Sequence, residues 1–161
     1  METIEQQEQE NQSLATFGQG LFSDKDKLLS FLFAGNATFT IKSKRNGKRF
    51  TYKLTLADSE PQRFFVSVLN GPDNWSNYQY LGLVFPLKQI YTQTSGSKIS
   101  SKADSAVAIS WFFSWLFNPL YKDIFQHAEV WHEGKCGRCG RKLTVPESIE
   151  SGFGPECIGK I

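Results

Sequence analysis

The sequence has few of the residues on which catalytic sites most often depend. Its 161 residues include two histidines, three cysteines and one methionine. It contains no Gly-Lys-Ser/Thr phosphate loop, no nucleophile elbow and no paired-carboxylate motif. These absences predict a protein that is not an enzyme. The enzymatic alternative that remains is a zinc ion held by three cysteines and a water molecule.

Long hydrophobic runs are also missing. The first residues supply neither the basic nor the apolar region of a secretory signal. The most apolar run, 106–117, is too short to cross a bilayer and is followed by Asn118-Pro119. We therefore expect a cytoplasmic protein with no membrane partner, whose clustered cysteines bind metal instead of forming disulfides.

Basic residues are absent from the start of the chain and abundant further on. Residues 1–24 hold five acids and no lysine or arginine, so the remainder carries eighteen bases against eleven acids. Segment 1–22 is rich in Glu, Gln and Asn, which predicts a disordered leader because little apolar surface is available to offset the entropy of ordering. A basic body is compatible with a nucleic-acid partner.

The pattern of residues 23–127 predicts an α+β domain. Ser23 and Asp26 indicate a capping box for a first helix that ends near Gly35. Asn46-Gly47 predicts a two-residue type I′ turn between strands 37–45 and 48–56, which would pair residues whose numbers sum to 93. One hairpin face is then apolar and the other carries threonines and bases. Strands at 63–69, 78–85 and 88–92 would complete an antiparallel sheet.

A second main helix is expected from a cap at Ser101 to Phe117. It has two apolar stripes, one of Ile109, Phe112, Phe113, Leu116 and Phe117 and another of Val107, Trp111 and Trp115. Such a helix is either central to the core or presents its second stripe to a partner. Trp111 and Trp115, with Trp75 in the loop after the third strand, are the candidate anchors for a protein partner.

Residues 128–161 predict a small zinc module of the ribbon or knuckle kind. Cys136 and Cys139 flank two residues, so one tight turn sets the distance between their sulfurs before the metal arrives. A short helix that starts near Thr144 and ends at Gly152 would return Cys157 to the same place. The expected role of the Zn²⁺ is structural, because this segment is too small to hold a core of its own.

A tetrahedral site needs a fourth ligand. His132, four residues before Cys136, is the first candidate and His127 the second. Glu133 and Glu156 are weaker candidates, and a water molecule would leave the site open.

The run 131–157 contains the pattern Cys-x-x-Cys-Gly-Arg-x-Leu-Thr-x-Pro-x-Ser-Ile-x-x-Gly-x-Gly-Pro-x-Cys. This pattern resembles the C-terminal module of a family of small bacteriophage and prophage proteins. Residues 34–52, from Ala-Gly-Asn-Ala-Thr-Phe to Lys-Arg-Phe-Thr-Tyr, are similar to the first half of the same family. The resemblance implies a zinc-binding tail, a phage-type origin and a bacterial host cytoplasm. It implies no particular activity.

Two functions compete. The first is nucleic-acid binding through the hairpin, which has six bases and no acid between positions 42 and 53: Lys42, Lys44, Arg45, Lys48, Arg49 and Lys53. Charged hairpins are, however, often solvated faces or protected sheet edges. The second is a phage-encoded protein that binds and inhibits a host machine, such as a defence system, through the tryptophan anchors.

Overall fold

The computed structural model describes residues 20–70, 77–121, 123–144 and 146–160. Within these ranges the chain forms one six-stranded antiparallel sheet in the order β5-β4-β3-β2-β1-β6. The strands are β1 (Asn36–Ser43), β2 (Arg49–Leu56), β3 (Phe64–Leu69), β4 (Tyr78–Phe85), β5 (Ile90–Gln93) and β6 (Ala128–His132). The helices are α1 (Lys25–Leu32), α2 (Asp104–Leu116) and the short α3 (Pro146–Ser151), with 3-10 turns at Ile124–Gln126 and Ile158–Lys160. The predicted α+β class is confirmed.

The β1–β2 hairpin has a longer loop than Asn46-Gly47 predicts. Its paired residues sum to 91, so that Ile41 faces Phe50, and the predicted register is wrong by two residues. The N–H of Ser43 donates to the Lys48 carbonyl at 2.9 Å, which leaves residues 44–47 as a four-residue loop. Gly47 adopts φ +71° there. A shift of two residues nevertheless keeps the residues that remain paired on their predicted faces, because strand faces alternate with a period of two.

Helices α1 and α2 pack on the same face of the sheet. The Phe112 ring lies 5.9 Å from Phe39, and the Phe33 ring lies 5.4 Å from Phe64. The buried Tyr52 hydroxyl donates to the carbonyl of Ser105 at 2.7 Å, which ties β2 to the first turn of α2. The first apolar stripe of α2 therefore belongs to the core. In the second stripe, Trp111 and Trp115 are half-buried at the margin of the core, and Val107 is exposed.

Both helix starts differ from the prediction. Asp24, and not Ser23, caps α1, because its Oδ1 accepts the N–H groups of Asp26 at 2.8 Å and Lys27 at 3.2 Å. Helix α2 follows Ala103 with no side-chain cap. In both places the predicted serine is close in sequence to the true N-terminus, but its side chain does not accept the first helical N–H groups.

Two segments lie further inside the fold than the sequence indicates. Residues 20–22, placed by prediction in the leader, run along β6: the N–H of Phe22 donates to Val130 at 2.8 Å, and the N–H of His132 donates to Gly20 at 3.0 Å. The rest of the predicted leader lies outside the described residues. Strand β6, predicted to open the zinc module, pairs with β1 in the main sheet. Strand β6 therefore has backbone hydrogen-bond partners along both of its edges.

None of the helices in the described ranges has the length and apolar character needed to span a bilayer.

Candidate metal centre and basic hairpin

The metal centre begins as a tight turn at Cys136 to Cys139. The N–H of Cys136 donates to the Arg141 carbonyl at 2.8 Å, and the N–H of Gly140 donates to the Cys136 carbonyl at 2.9 Å. Gly140 adopts φ +78°, a conformation in which a side chain would be strained. The turn therefore holds the first two thiols on one side of the chain.

Helix α3 and the turn after it deliver the third thiol. The helix ends where Gly152, at φ +79°, donates its N–H to the Ser148 carbonyl at 2.9 Å. The chain then turns at Gly154, whose carbonyl accepts the N–H of Ile158 at 3.0 Å. The sulfurs of Cys136, Cys139 and Cys157 all lie within 4.8 Å of one another. The prediction that the three cysteines gather is confirmed.

This arrangement fits a thiophilic ion such as zinc. Zn–S bonds of about 2.3 Å at tetrahedral angles place sulfurs roughly 3.8 Å apart, which is inside the observed limit. Three thiolates would hold the ion, and its chemical contribution would be to crosslink the turn to the C-terminal segment. The Arg138 Nη1 donates to the Cys157 Sγ at 3.7 Å.

The protein groups around the thiols separate their pKa values. Burial raises the pKa of Cys136, but hydrogen bonds from backbone groups of Cys139, Gly154 and Arg138 outweigh burial and bring it to about 7. A hydrogen bond from the Arg141 backbone lowers the pKa of Cys139. Burial, and the hydrogen bonds between its thiol and the other two cysteines, raise that pKa overall. Without metal, Cys136 is therefore the first of these two thiols to ionise.

His132 is not brought to the thiols. Its ring is buried beside Phe22 and Phe31, with centroids at 5.9 and 5.7 Å. Burial lowers its pKa, so the ring is neutral at pH 7. Nδ1 accepts the N–H of Gly134 at 3.0 Å, and the protonated Nε2 then donates to the Ile149 carbonyl. Both ring nitrogens are engaged, so the geometry does not support His132 as the fourth ligand.

The other candidate ligands lie elsewhere. In the described part of the chain, the cysteine group includes no histidine or carboxylate, and the Glu133 carboxylate instead accepts from the Thr40 hydroxyl. The sequence contains one His-x-Glu motif of the spacing found in zinc deaminases, at His127-Ala-Glu129. His127, however, stacks edge-on against Trp115 at the other end of β6. The geometry does not assemble a deaminase-like site.

The cysteine-bearing segment that follows β6, which we call the metal module, packs closely against the sheet. Gly137 donates its N–H to the Gly152 carbonyl at 2.9 Å and accepts the N–H of Asn36, the first residue of β1, at 2.8 Å. A Cβ at Gly137 would lie 2.6 Å from the Phe31 ring, and one at Gly152 would lie 2.8 Å from it. Phe31 of α1 therefore fits against two glycine backbones, and the module shares its packing with the body.

The structure divides the six hairpin bases between two surfaces. Lys42, Arg49 and Lys53 lie on the sheet face opposite α1 and α2, and we call them the strand bases. Lys44, Arg45 and Lys48 lie at the hairpin loop, beside the second stripe of α2, and we call them the loop bases. The predicted register placed Lys44 on one face with Lys42, Arg49 and Lys53, but Lys44 lies in the loop on the other surface.

The strand bases lie near aromatic rings. The Arg49 guanidinium is 5.5 Å from the centroid of the Trp131 ring, and the Lys53 ammonium is 4.8 Å from that of Tyr78. Desolvation, and secondarily the charge of Lys135, lowers the pKa of Lys53. Two acids, Glu129 and Glu133, lie near the strand bases. This face therefore combines aromatic rings for stacking with a small excess of positive charge.

The loop bases share a groove with two predicted partner anchors. Trp111 and Trp115 of α2 line this groove together with the loop bases and His127, and its volume is about 710 Å³. The third predicted anchor, Trp75, lies outside the described residues. No local signal in the sequence predicts this groove, because it is formed by segments about sixty positions apart.

The fold and the thiol cluster define a small α+β protein with a C-terminal three-cysteine candidate metal site. Residues 126–161, which hold β6 and that site, match DUF6011, a family of unknown function. The match does not reach the hairpin or α2. No curated protein and no solved structure matches the chain.

Proposed function

We propose that this chain is a non-catalytic zinc protein of phage origin that binds nucleic acid in the cytoplasm of a bacterial host. The zinc closes the C-terminal module, and the hairpin supplies the contact surface. The observation that carries the proposal is the placement of bases on both sides of one hairpin. In the described residues, the one ion pair in this set joins Lys48 to Asp104 at 2.7 Å.

Several features support phosphate binding by the strand bases. Arg49 and Lys53 have no ion-pair partner among the described residues, and each lies against a ring that limits its mobility. Cations held this way lose less conformational freedom when they meet a phosphate. Glu133, whose charge helps to raise the pKa of Tyr78 after desolvation, already accepts a hydrogen bond from the Thr40 hydroxyl.

The test is a salt titration of binding to a labelled oligonucleotide. Between about 50 and 200 mM salt, log affinity should fall linearly with log salt. The triple variant Lys42→Gln, Arg49→Gln, Lys53→Gln should reduce that slope by roughly two to three, since each lost phosphate contact removes about 0.9. The charge-matched control is Lys88→Gln, Lys98→Gln, Lys102→Gln, at exposed positions elsewhere, and it should keep the parent slope. Equal slopes for both triples would overturn the proposal.

A second candidate function, inhibition of a host protein, is favoured by a different surface. Leu87 and Leu120 are each 83 % exposed, and they follow Pro86 and Pro119, which line one cleft of about 390 Å³. Exposed apolar side chains next to a cleft are typical of protein contacts. Capture of a host protein that resists nuclease and is lost in Leu87→Ser, Leu120→Ser would select this function.

A further inference from the structure

The groove beside the hairpin loop has one basic rim and one aromatic wall. Lys44 and Arg45 are exposed on the loop, and Trp111 and Trp115 form the opposite wall from α2. The volume of about 710 Å³ is in the range of small-molecule sites. It is large enough for a nucleotide unit and too small for a duplex.

The aromatic wall is held in place by contacts with neighbouring rings. Trp115 stacks on Tyr121 with centroids 4.1 Å apart and an interplanar angle of 18°. His127 meets the same indole edge-on at 4.5 Å. Trp111 packs against Trp115 at 5.4 Å and is itself half-buried. Because its neighbours fix the wall, little side-chain entropy is lost when a flat ligand stacks there.

The charges of the groove favour an anion. Asp104, the carboxylate at the groove, is paired with Lys48 at 2.7 Å. Among the described residues, no carboxylate lies within ion-pairing distance of Lys44 or Arg45. An apolar peptide in this groove would desolvate those two cations without compensation. A ligand with a flat ring and an adjacent phosphate would satisfy both sides.

We infer that this groove binds an unpaired nucleotide of a single strand, with its base against Trp111 and its phosphate at Lys44 and Arg45. This inference rests on the proposed nucleic-acid function and makes it specific. Bases in a duplex are stacked on each other and cannot reach the wall without being flipped out. A single strand presents them directly, and stacking on an aromatic ring contributes roughly tenfold to a hundredfold in affinity per base.

The experiment compares three labelled probes on the full-length chain: an oligo-dT strand, an abasic strand of the same length and a duplex. Oligo-U is run beside oligo-dT to sample RNA. We expect Trp111→Leu to weaken oligo-dT binding roughly tenfold. Trp111→Phe, which keeps a ring, should recover most of the affinity. Binding of the abasic strand and of the duplex should be unchanged by both variants.

Two controls separate stacking from folding. Ser110→Ala changes an exposed position of α2 that does not line the groove, and should bind as the parent does. Lys44→Gln, Arg45→Gln changes only exposed loop positions, so it tests the groove even if Trp111→Leu unfolds. It should weaken oligo-dT more than duplex.

The failures are distinguishable. If no probe binds the parent protein, both the proposed function and the groove are wrong. If the probes bind and depend on the strand bases, while Trp111→Leu and Lys44→Gln, Arg45→Gln bind oligo-dT like the parent, the groove inference alone is wrong. Equal loss of oligo-dT and abasic binding in Trp111→Leu would also overturn it, because a base would not be the recognised group.

Discussion

The metal module and the hairpin groove are built in opposite ways. In the module, the three thiols meet because glycines and tight turns within 22 positions of sequence bring them together, from Cys136 to Cys157. In the groove, loop bases near position 45 meet tryptophans near position 113 only after the whole sheet has formed. Local geometry fixes the first site, and tertiary packing fixes the second. Changes that damage one should therefore leave the other measurable.

The largest expected effect is loss of the metal. Cys136→Ser should reduce bound zinc from about one equivalent to near zero, because a serine hydroxyl is a poor zinc ligand and two thiols remain. Metal analysis of native protein measures this, with Ser151→Ala as a control in the same module. Full zinc occupancy in Cys136→Ser would contradict the three-thiol site. The groove is not expected to change, so oligonucleotide binding should survive if the protein stays folded.

The second prediction concerns the joint between module and body. Phe31→Ala should lower the free energy of unfolding by about 3–5 kcal/mol, since it removes a fully buried ring that contacts Phe22, His132 and Phe153. Denaturant unfolding measures the change. Lys27→Ala, exposed on the same helix, should cost far less. Similar losses in the two variants would show that the module does not depend on this joint.

A smaller loss of stability is expected from a substitution at Gly152, which faces Phe31. Gly152→Ala should destabilise by about 1–3 kcal/mol, because its Cβ would lie 2.8 Å from the ring and its φ is +79°. Gly154→Ala is the matched control, since a Cβ there has no neighbour within 4 Å among the described residues. Thermal unfolding compares the two. Equal midpoints would mean that the ring moves aside without cost.

The smallest effects are expected on the groove side. Tyr52→Phe should cost about 0.5–1.5 kcal/mol by removing the bond to Ser105. Asp104→Asn should cost less than about 1 kcal/mol, because the Lys48–Asp104 pair is exposed on both sides. Unfolding in denaturant ranks them. The reverse order would indicate that the surface pair, and not the buried hydroxyl, holds the hairpin to α2.

The parts of the structure that the sequence predicted are those with short-range causes. The two hairpin faces follow from alternation, and the gathering of cysteines follows from their spacing. The hairpin register was missed because Asn46 does not sit in a two-residue turn: its side chain accepts the N–H of Lys48 inside a four-residue loop. Turn composition alone does not separate these two loops.

His132 shows more clearly that sequence spacing alone does not identify a metal ligand. Its spacing to Cys136 is that of a ligand, but the pairing of β6 with β1 puts it opposite Phe39, so its ring faces the core. Long-range pairing of this kind leaves no trace in the spacing of His132 and the cysteines. For the same reason, the sequence places the loop bases and the tryptophans of α2 in two separate hypotheses, although the fold brings them to one groove.

Strand β1 separates the hairpin loop from the metal module. Its first residue, Asn36, is bonded to Gly137 of the metal module, and its last residue, Ser43, opens the hairpin loop. These ends are about 23 Å apart at the rise of an extended strand. Substitutions in residues 44–46 are therefore expected to leave the cysteine cluster unchanged, whereas Gly47 is constrained by its φ of 71°.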